Sequence, residues 1–329
     1  MNITVLAAGA WGTALALAFS SRHAITLWAR PEDRLVSELR RDRENRRFLP
    51  GFSFPDALCV EDDLETALAG ADLLLIATPI SGLRPTLKSL AALKSEMPFL
   101  WACKGFEVGS GQLPHQVAAS ELPGVPHGVL TGPSFAQEVA AGQPTAAIVA
   151  SADYAFAQTI AQALHGGHFR IYVSDDLIGA EVGGAVKNIL AIATGACDGL
   201  KLGANSRAAL MTRGLAEIAR LGVALGGKKE TFMGLSGMGD LILTCTGDLS
   251  RNRQVGLALA AGKSLDQTLA ELGHVAEGVP TAREVHRLAQ TLNVEMPITA
   301  AVVAALEGRL SARDAVERLL ARDLKEEAA

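Results

Sequence analysis

The sequence predicts a doubly wound, mostly parallel α/β sheet that is followed by an all-α second domain. In the first half of the chain, short runs of apolar residues alternate with helical stretches. These runs are apolar throughout, which is typical of parallel strands covered on both faces. After residue 178 no further strand pattern appears, and the pattern indicates helices divided by Gly, Pro and Asn. We therefore predict one domain over residues 1–178 and a second over residues 179–329.

The predicted strands are seven apolar runs, at residues 3–7, 25–29, 72–79, 98–105, 127–132, 145–151 and 169–174. After the second run, Pro31 followed by Glu32 and Asp33 predicts a helix start, since proline and acidic residues are favoured in a first turn. In the second domain, a helical pattern rich in Gly and Ala covers residues 176–200. Further helices are predicted at residues 204–224, 251–261, 264–273, 280–292 and 297–321.

The charge balance argues against nucleic acid and anionic membranes as partners. The formal net charge is −5. A cluster of arginines between residues 40 and 47 is interrupted by Asp42 and Glu44, so a solvated helix face and a loop explain it. No uninterrupted apolar run has the length expected of a membrane span.

The cysteines and the N-terminus indicate a cytoplasmic protein. Cys59, Cys103, Cys197 and Cys245 form no C-x-x-C pair, and each lies in an apolar or strand-like context. This pattern predicts free, buried thiols in a reducing compartment. The N-terminus lacks the basic segment of a signal peptide.

A glycine-rich turn follows the first predicted strand. The motif AAGAWG at residues 7–12 stands where a Rossmann-type unit has G-x-G-x-x-G, between a strand and a helix. Gly9 allows the backbone to approach a pyrophosphate, and Gly12 allows the helix to pack against the strand. Ala7 replaces the first glycine, and we expect it to strain or shift the turn. A turn without a ligand fits this context less well, so the sequence predicts a nicotinamide-dinucleotide site.

The residue after the second strand bears on which cofactor is used. An NAD-selective site often has Asp or Glu there for the ribose hydroxyls, whereas this chain has Arg30, which can bind a 2′-phosphate. Glu32 and Asp33 are better explained as acids of a helix start. We predict that NADP(H) is favoured and that NAD(H) is also accepted. The alternative for Arg30 is a solvated surface side chain.

Two lysines have the positions expected of functional residues. Lys104 lies at the carboxyl end of a predicted strand, at the edge where open α/β sheets bind ligands, although a solvated lysine would fit equally well. Lys187 lies inside a long apolar helix, where an isolated ammonium group is costly to desolvate. We interpret Lys187 as a residue whose pKa is lowered for proton exchange. The alternative is a lysine that reaches solvent or pairs with Glu181.

The segment at residues 234–256 combines a glycine-rich turn with groups that suit a phosphate. Asp240 lies between this turn and an apolar run, and Ser250 is the predicted N-cap of a helix. Arg251 and Asn252 follow in its first turn. A helix start with hydroxyl, guanidinium and amide donors is suited to a phosphate group, whereas ordinary capping would explain Ser250 alone.

Other chemistries are poorly supported by the spacing of residues. Residues 256–264 look like a P-loop but have one residue too many between the glycines and no preceding strand, so we predict a helix that ends at Gly262. The histidines show no metal-ligand spacing, and His165 and His168 are predicted to flank a turn. There is no G-x-S-x-G elbow, and no metal is expected.

Taken together, the motifs resemble the NAD(P)-dependent sn-glycerol-3-phosphate dehydrogenases of the bacterial biosynthetic type. The matching stretches are ITVLAAGAWGTALA, LPG at 49–51, ACKGFE, LTGPSFAQEV, VGGAVKNILAIATG, GANSRAALMTRGLAEI, GLSGMGDLILTCTGD, SRNRQVG and VAEGVPTA. They follow in order from the first strand to beyond residue 280, and the VKN, GxGD and SRN blocks are specific in combination. Two departures are Ala7 and Phe48, where relatives often have Gly and Tyr.

The resemblance implies reversible reduction of dihydroxyacetone phosphate to sn-glycerol 3-phosphate for phospholipid synthesis. It implies that Lys187 donates the proton to the carbonyl oxygen and that Lys104 contacts both substrate and cofactor. The implied substrate-binding residues are Lys104, Gly132, Ser134, Lys187, Asp240, Ser250, Arg251 and Asn252. The implied cofactor-binding residues, with the two motif glycines, are Gly9, Ala10, Trp11, Gly12, Arg30, Lys104, Ala136, Arg251, Val275 and Glu277. A homodimer is common in such families.

Two alternatives remain open at this point. A related dehydrogenase that acts on a 3-hydroxy acid or a sugar acid would have the same two domains and a lysine, but it would not need the GMGD and SRN blocks together. A non-enzymatic NADP-binding regulator would share the first domain. Such a regulator would give no role to a lysine inside an apolar helix, as Lys187 is.

Overall fold

A computed structural model describes residues 1–31, 34–273 and 276–321. Its internal contacts divide the chain into two compact units. The first unit comprises Met1–Glu107 and Gln112–Glu181, and the second comprises Val108–Gly111 and the chain from Val182 onward. The predicted domain limits at residues 178 and 179 lie three residues before this division.

The first unit is built on parallel strands with intervening helices. Its strands are β1 (Asn2–Leu6), β2 (Ala24–Trp28), β3 (Glu44–Asn45), β4 (Leu49–Ser53), β5 (Cys59–Glu61), β6 (Leu73–Ile76), β7 (Phe99–Trp101), β8 (His127–Thr131), β9 (Thr145–Ala150) and β10 (Phe169–Ser174). Its helices are α1 (Ala10–Phe19), α2 (Leu35–Asp42), α3 (Leu64–Leu68), α4 (Ile80–Ala92), α5 (Pro114–Glu121), α6 (Ala136–Ala140) and α7 (Tyr154–Leu164).

Eight of these strands form one sheet in the order β10-β9-β8-β7-β6-β1-β2-β5. Every neighbouring pair is parallel except β8 and β9, so the predicted fold class is confirmed. The chain runs from β1 outward through β2 and β5, and then returns to the other side of β1 with β6. This reversal is a topological switch point, where open α/β sheets bind ligands at the carboxyl ends of their strands.

All seven predicted strands are present, and the sequence pattern missed β3, β4 and β5. The β3–β4 pair is a separate antiparallel hairpin, and β4 contains Pro50 and Gly51, which are unusual in strands. Strand β5 has only three residues, too few to show a period. It supplies Cys59, which is exposed, so the prediction that all four thiols are buried is wrong at this position.

Helix α2 begins later than predicted. Its first residue is Leu35, and Arg34 is its N-cap, whereas Pro31 lies in the preceding turn. Leu35, Val36 and Leu39 bury one face of the helix in the core, which fixes the helix in place. The acids Glu32 and Asp33, which were predicted for its first turn, lie outside the described residues.

The second unit is helical, and its described residues include no strand. Its helices are α8 (Leu177–Gly199, whose first residues belong to the first unit), α9 (Gly203–Ala224), α10 (Asp240–Thr246), α11 (Arg251–Ala260), α12 (Leu265–Leu272), α13 (Gly278–Thr291), α14 (Pro297–Leu306) and α15 (Ala312–Leu320). The single helix predicted at residues 297–321 is wrong. The chain leaves α14 through Gly308 in a left-handed conformation, and Ser311 caps α15 with its side chain.

Helices α8 and α11 approach each other closely enough to bring their backbones into contact. A Cβ atom on Gly195 would lie 2.0 Å from the carbonyl oxygen of Arg253, and one on Gly256 would lie 2.0 Å from that of Ile192. No side chain larger than hydrogen fits at either position. Helix α8 has the length and apolarity to cross a membrane, but 94% of its most apolar window is buried inside the protein, as in a core helix.

Candidate active site

The glycine-rich turn has the geometry of a dinucleotide-binding loop. Strand β1 ends at Leu6, and α1 begins at Ala10 with Gly9 as its extended N-cap. A Cβ atom on Gly12 would lie 2.0 Å from the carbonyl oxygen of Ala7, so only glycine allows this approach of helix and strand. Around Gly9, by contrast, no atom lies within 4 Å of a Cβ position. The open backbone at the start of a helix fits the pyrophosphate of a dinucleotide.

Ala7 occupies a backbone conformation that normally requires glycine. Its φ is +94°, and its N–H donates to the carbonyl oxygen of Trp28 at 3.0 Å. A side chain in this region costs on the order of 1–3 kcal/mol. The strain expected from the loss of the first motif glycine is therefore present at this residue, and the turn keeps its glycine-type path.

Arg30 lies two residues beyond the end of β2, and its side chain is exposed. Since β2 is parallel to β1 and Trp28 is paired with Leu6, Arg30 leaves the sheet at the same edge as the glycine-rich turn. Trp11 in α1 and Ala136 at the start of α6 both pack against the core of this unit. These residues surround the carboxyl edge of the sheet near its switch point.

Lys104, Gly132 and Ser134 meet beyond the carboxyl ends of β7 and β8. The Lys104 Nζ atom lies 3.5 Å from the Gly132 carbonyl oxygen, and the Ser134 hydroxyl donates to the same oxygen at 3.0 Å. Gly132 has a φ of +138°, and a Cβ atom there would lie 3.0 Å from the Cα atom of Ala147. The fold therefore brings Lys104 next to Gly132 and Ser134, which follow the neighbouring strand, and it requires glycine at residue 132.

In the second unit, the buried Lys187 is paired with Asp240. Lys187 is 5% exposed and Asp240 is 1% exposed. The Lys187 ammonium group donates to an Asp240 carboxylate oxygen and, at 2.7 Å, to the Thr244 hydroxyl. A buried charge of this kind is tolerated when it is paired and hydrogen-bonded. The alternative pairing with Glu181 is wrong, because Glu181 binds the backbone N–H and ring of His115 at 2.8 and 2.5 Å.

A π-helical turn at Leu235–Gly239 places Asp240 against helix α8. A Cβ atom on Gly183 would lie 2.5 Å from the carbonyl oxygen of Ser236, so the turn touches the α8 backbone there. Gly183 is one helical turn before Lys187, and Ser236 is four residues before Asp240. The contact between Gly183 and Ser236 therefore brings the side chains of Lys187 and Asp240 together one helical turn further along α8.

Thr244 and Cys245 complete the surroundings of Lys187. Thr244 was not predicted, although its position four residues after Asp240 on α10 places both side chains on one helix face. Its hydroxyl also donates to the Asp240 carbonyl oxygen at 2.7 Å. Burial raises the pKa of the Cys245 thiol to about 12, so the thiol stays protonated at neutral pH. Lys187 and Asp240 are therefore the charged pair of this cluster.

The start of α11 carries the predicted SRN triplet. Ser250 is the N-cap, as predicted, and accepts from the Arg253 N–H at 3.3 Å. The Asn252 amide donates to Asn188 at 3.0 Å and accepts from the N–H of Gly278 at 2.9 Å. Asn252 is therefore engaged with other parts of its own unit, whereas Arg251 is exposed.

A partly buried ion-pair cluster fixes the same helix start. Arg253 donates to Asp198 through two nitrogens, at 3.1 and 2.8 Å, and the same carboxylate accepts from Arg207 at 3.1 Å. No local sequence pattern indicates this cluster, because Asp198 and Arg253 lie 55 residues apart. Of the remaining predicted cofactor residues, Glu277 is the N-cap of α13, and Val275 lies outside the described residues.

The fold and these groups define a class of proteins. A doubly wound sheet with a glycine-rich dinucleotide turn is followed by a helical unit that holds a buried, paired lysine. Among the described residues no group of three or more His, Cys, Asp or Glu side chains is arranged to hold a metal ion. The arrangement is that of a two-domain, nicotinamide-dependent dehydrogenase.

Comparison with known proteins identifies the family. Residues 2–157 match the N-terminal family model of NAD-dependent glycerol-3-phosphate dehydrogenase, and residues 176–317 match the C-terminal one. The chain belongs to this family and is an oxidoreductase. It is 66% identical to the glycerol-3-phosphate dehydrogenase [NAD(P)+] of Dechloromonas aromatica over the full length of both chains, and 58% identical to that of Thiobacillus denitrificans over 99% of this chain and all of the relative.

Solved structures agree with this assignment. The crystal structure of glycerol-3-phosphate dehydrogenase from Coxiella burnetii is 44% identical, covers 98% of this chain and 99% of its own, and superposes with a TM-score of 0.93. A D-mandelate dehydrogenase with NADH has a TM-score of 0.60 at 14% identity, which shows a shared fold alone.

Proposed function

We propose that the protein interconverts dihydroxyacetone phosphate and sn-glycerol 3-phosphate, with NADPH favoured over NADH, and that it supplies glycerol 3-phosphate for phospholipid synthesis. The observation that carries the proposal is the buried Lys187–Asp240 pair in a chain with full-length identity of 66% to a named glycerol-3-phosphate dehydrogenase. The nicotinamide cofactor, when bound, supplies or accepts the hydride. The protein contributes binding, orientation and a proton.

Lys187 is the proposed proton donor to the substrate carbonyl oxygen. Its ammonium group can stabilise negative charge that develops on this oxygen and then protonate it. Asp240 and Thr244 hold the ammonium group in one orientation, which supports a defined direction of proton transfer. In the oxidation direction, the same residue would take the proton from the alcohol.

The remaining roles follow the family resemblance. Lys104, Gly132, Ser134, Asp240, Ser250, Arg251 and Asn252 are the proposed substrate-binding residues. The exposed Arg251 guanidinium at the start of α11 is the proposed phosphate ligand, because arginine matches phosphate geometry and the helix start adds N–H groups. Asn252, whose amide is already bonded to Asn188 and Gly278, would act on the substrate by fixing this helix start.

The proposed cofactor-binding residues of the first unit follow the carboxyl ends of its strands and are Gly9, Ala10, Trp11, Gly12, Arg30, Lys104 and Ala136. The other proposed cofactor-binding residues, Arg251, Val275 and Glu277, belong to the second unit. The exposed Arg30 beside the glycine-rich turn supports a preference for NADPH, since its guanidinium can bind a 2′-phosphate. A cytoplasmic location and a homodimer complete the proposal.

A substrate panel tests this function. NADPH and NADH oxidation would be followed with dihydroxyacetone phosphate and with a set of 2- and 3-oxo acids. We expect turnover with the phosphate and none with the acids. Turnover with an oxo acid alone would favour the 3-hydroxy-acid or sugar-acid alternative, and dinucleotide binding without any turnover would favour the regulator.

A further inference from the structure

Asn45 is a fully buried amide in a segment to which the proposed function assigns no role. It is the last residue of β3 and is 0% exposed. Its amide nitrogen donates to the carbonyl oxygen of Ala8 at 2.9 Å and to the hydroxyl of Thr13 at 2.7 Å. Its amide oxygen accepts from the N–H of Phe48 at 3.1 Å. Both ends of the amide are therefore bonded, as a buried polar group requires.

The two groups to which Asn45 donates lie on either side of the Gly9–Gly12 segment of the dinucleotide motif. Ala8 precedes Gly9, and Thr13 follows Gly12 in the first turn of α1. The Thr13 N–H donates to the Gly9 carbonyl oxygen at 3.0 Å, which closes this first turn. The Asn45 amide thus links Ala8, which lies between β1 and α1, to the first turn of α1. The backbone between these two points is the part of the turn that would face the pyrophosphate.

The strained residue of the turn adjoins this link. Ala7, at φ +94°, directly precedes Ala8. A strained backbone persists only when the surrounding structure holds it in place. The Ala7 N–H donates to the Trp28 carbonyl oxygen, and the carbonyl oxygen of the following residue, Ala8, accepts from the Asn45 amide.

We propose that Asn45 is a positioning residue that holds the glycine-rich turn in its dinucleotide-binding conformation. The inference rests on the proposed use of this turn for the cofactor. Because the pyrophosphate is common to NADPH and NADH, loss of the Asn45 amide weakens binding of both cofactors by the same factor. The Arg30-dependent preference between the cofactors and the KM for dihydroxyacetone phosphate at saturating cofactor stay unchanged.

The test measures dissociation constants for NADPH and NADH by tryptophan fluorescence on the full chain. We expect Asn45→Ala to raise both constants about tenfold with an unchanged ratio, the loss of roughly one or two net hydrogen bonds. Thr13→Val, which keeps the side-chain volume, removes one of the two acceptors of the Asn45 amide and should raise both dissociation constants about threefold. Thr13→Ser keeps the hydroxyl acceptor and should leave both constants near those of the parent. The matched control is Asn2→Ala, because the Asn2 amide donates to the Gly70 carbonyl oxygen at 2.8 Å at the opposite end of β1.

A second variant separates turn positioning from general packing. Ala7→Gly removes the strain that Asn45 helps to hold, so Asn45→Ala should cost less cofactor affinity in the Ala7→Gly background than in the parent. Equal losses in the two backgrounds would overturn the proposal. So would a lowered melting temperature of Asn45→Ala with unchanged dissociation constants.

The remaining outcomes are also decisive. If Asn45→Ala does not fold, the paired Thr13→Val and Thr13→Ser variants carry the test, and equal cofactor binding by both would overturn the proposal. If the parent chain binds dinucleotides and the variants differ as described, the positioning role stands, and the substrate panel decides separately whether the proposed reaction stands. If the parent binds neither cofactor, the proposed function fails, and the positioning role fails with it.

Discussion

The two units differ in what forms their candidate sites, which is main chain in the first unit and buried side chains in the second. At the glycine-rich turn of the first unit, the backbone provides the site: Gly9 leaves it open, Gly12 permits close packing, and Ala7 is strained. At the Lys187 cluster of the second unit, buried side chains form the candidate site. Glycine contacts such as that of Gly183 with Ser236 serve there only to bring the elements that carry these side chains together.

This difference predicts how each region responds to substitution. A backbone site is insensitive to most side-chain changes but fails where a new Cβ atom collides. A site of buried charges is sensitive to the loss of either partner, since the remaining charge is left without compensation in a poorly solvated interior. Four measurements test this contrast.

The largest expected effect is on catalysis at Lys187. Lys187→Ala should lower kcat by about 10³- to 10⁴-fold, because it removes both the proton donor and the charge that stabilises the developing alkoxide. Steady-state kinetics with dihydroxyacetone phosphate would measure this loss. The dissociation constant for NADPH should change less than about twofold, since the dinucleotide turn belongs to the other unit. A near-normal kcat would contradict the proton-transfer role.

The next effect is on stability at Asp240. Asp240→Asn leaves the buried Lys187 without its carboxylate and should lower the free energy of unfolding by about 3–5 kcal/mol, as measured by urea denaturation. Asp248→Asn is the matched control, because the Asp248 side chain pairs with Arg253 but is 94% exposed. The double variant Lys187→Met with Asp240→Asn should recover much of the loss. A double variant that is less stable than Asp240→Asn would show that the pair is not the cause.

A smaller effect is expected on cofactor selection at Arg30. Arg30→Ala should raise the KM for NADPH about tenfold, the worth of a charge-assisted hydrogen bond to the 2′-phosphate, and should leave the KM for NADH nearly unchanged. Lys94→Ala provides a control, since Lys94 is an exposed lysine in the turn after α4. Equal changes for both cofactors would make Arg30 a surface residue without a role in selection.

The smallest effect concerns the strain at Ala7. Ala7→Gly should raise the free energy of unfolding by about 1 kcal/mol, because the strain relieved in the folded state exceeds the added entropy of the unfolded chain. Thermal and urea unfolding would measure the gain. Asn293→Gly is a suitable comparison, since Asn293 has a φ of +53° but asparagine tolerates this conformation well. A loss of stability in Ala7→Gly would mean that the turn is not strained.

The same contrast explains what the sequence could reveal. The strands of the first unit were predictable because burial on both faces leaves a continuous apolar run, and Gly9 and Gly12 were visible because their spacing reflects the turn. Lys187 was visible for the opposite reason, as a charge in a segment that is otherwise apolar. In each case a local pattern records a physical requirement of the fold.

Partners that lie far apart in sequence were not predictable. Lys187 was given Glu181 as its alternative partner because the two share a helix, but the fold brings in Asp240 from 53 residues away. Asn45 went unnoticed for the same reason, since its partners Ala8 and Thr13 lie in another part of the chain and β3 is too short to show a pattern. The exposed Cys59 belongs to another short strand, whose position at the sheet edge no local pattern shows.

The contact between α8 and α11 also limits how this chain can evolve. A methyl group on Gly195 would strike the carbonyl oxygen of Arg253, and one on Gly256 would strike that of Ile192, so each glycine is confined by main-chain atoms, which no side-chain substitution removes. A harmful mutation at one position therefore has no compensating mutation at the other. We expect related proteins that keep this close packing of α8 against α11 to have glycine at both positions. The two glycines would then identify the packing of these helices independently of the proposed catalytic residues.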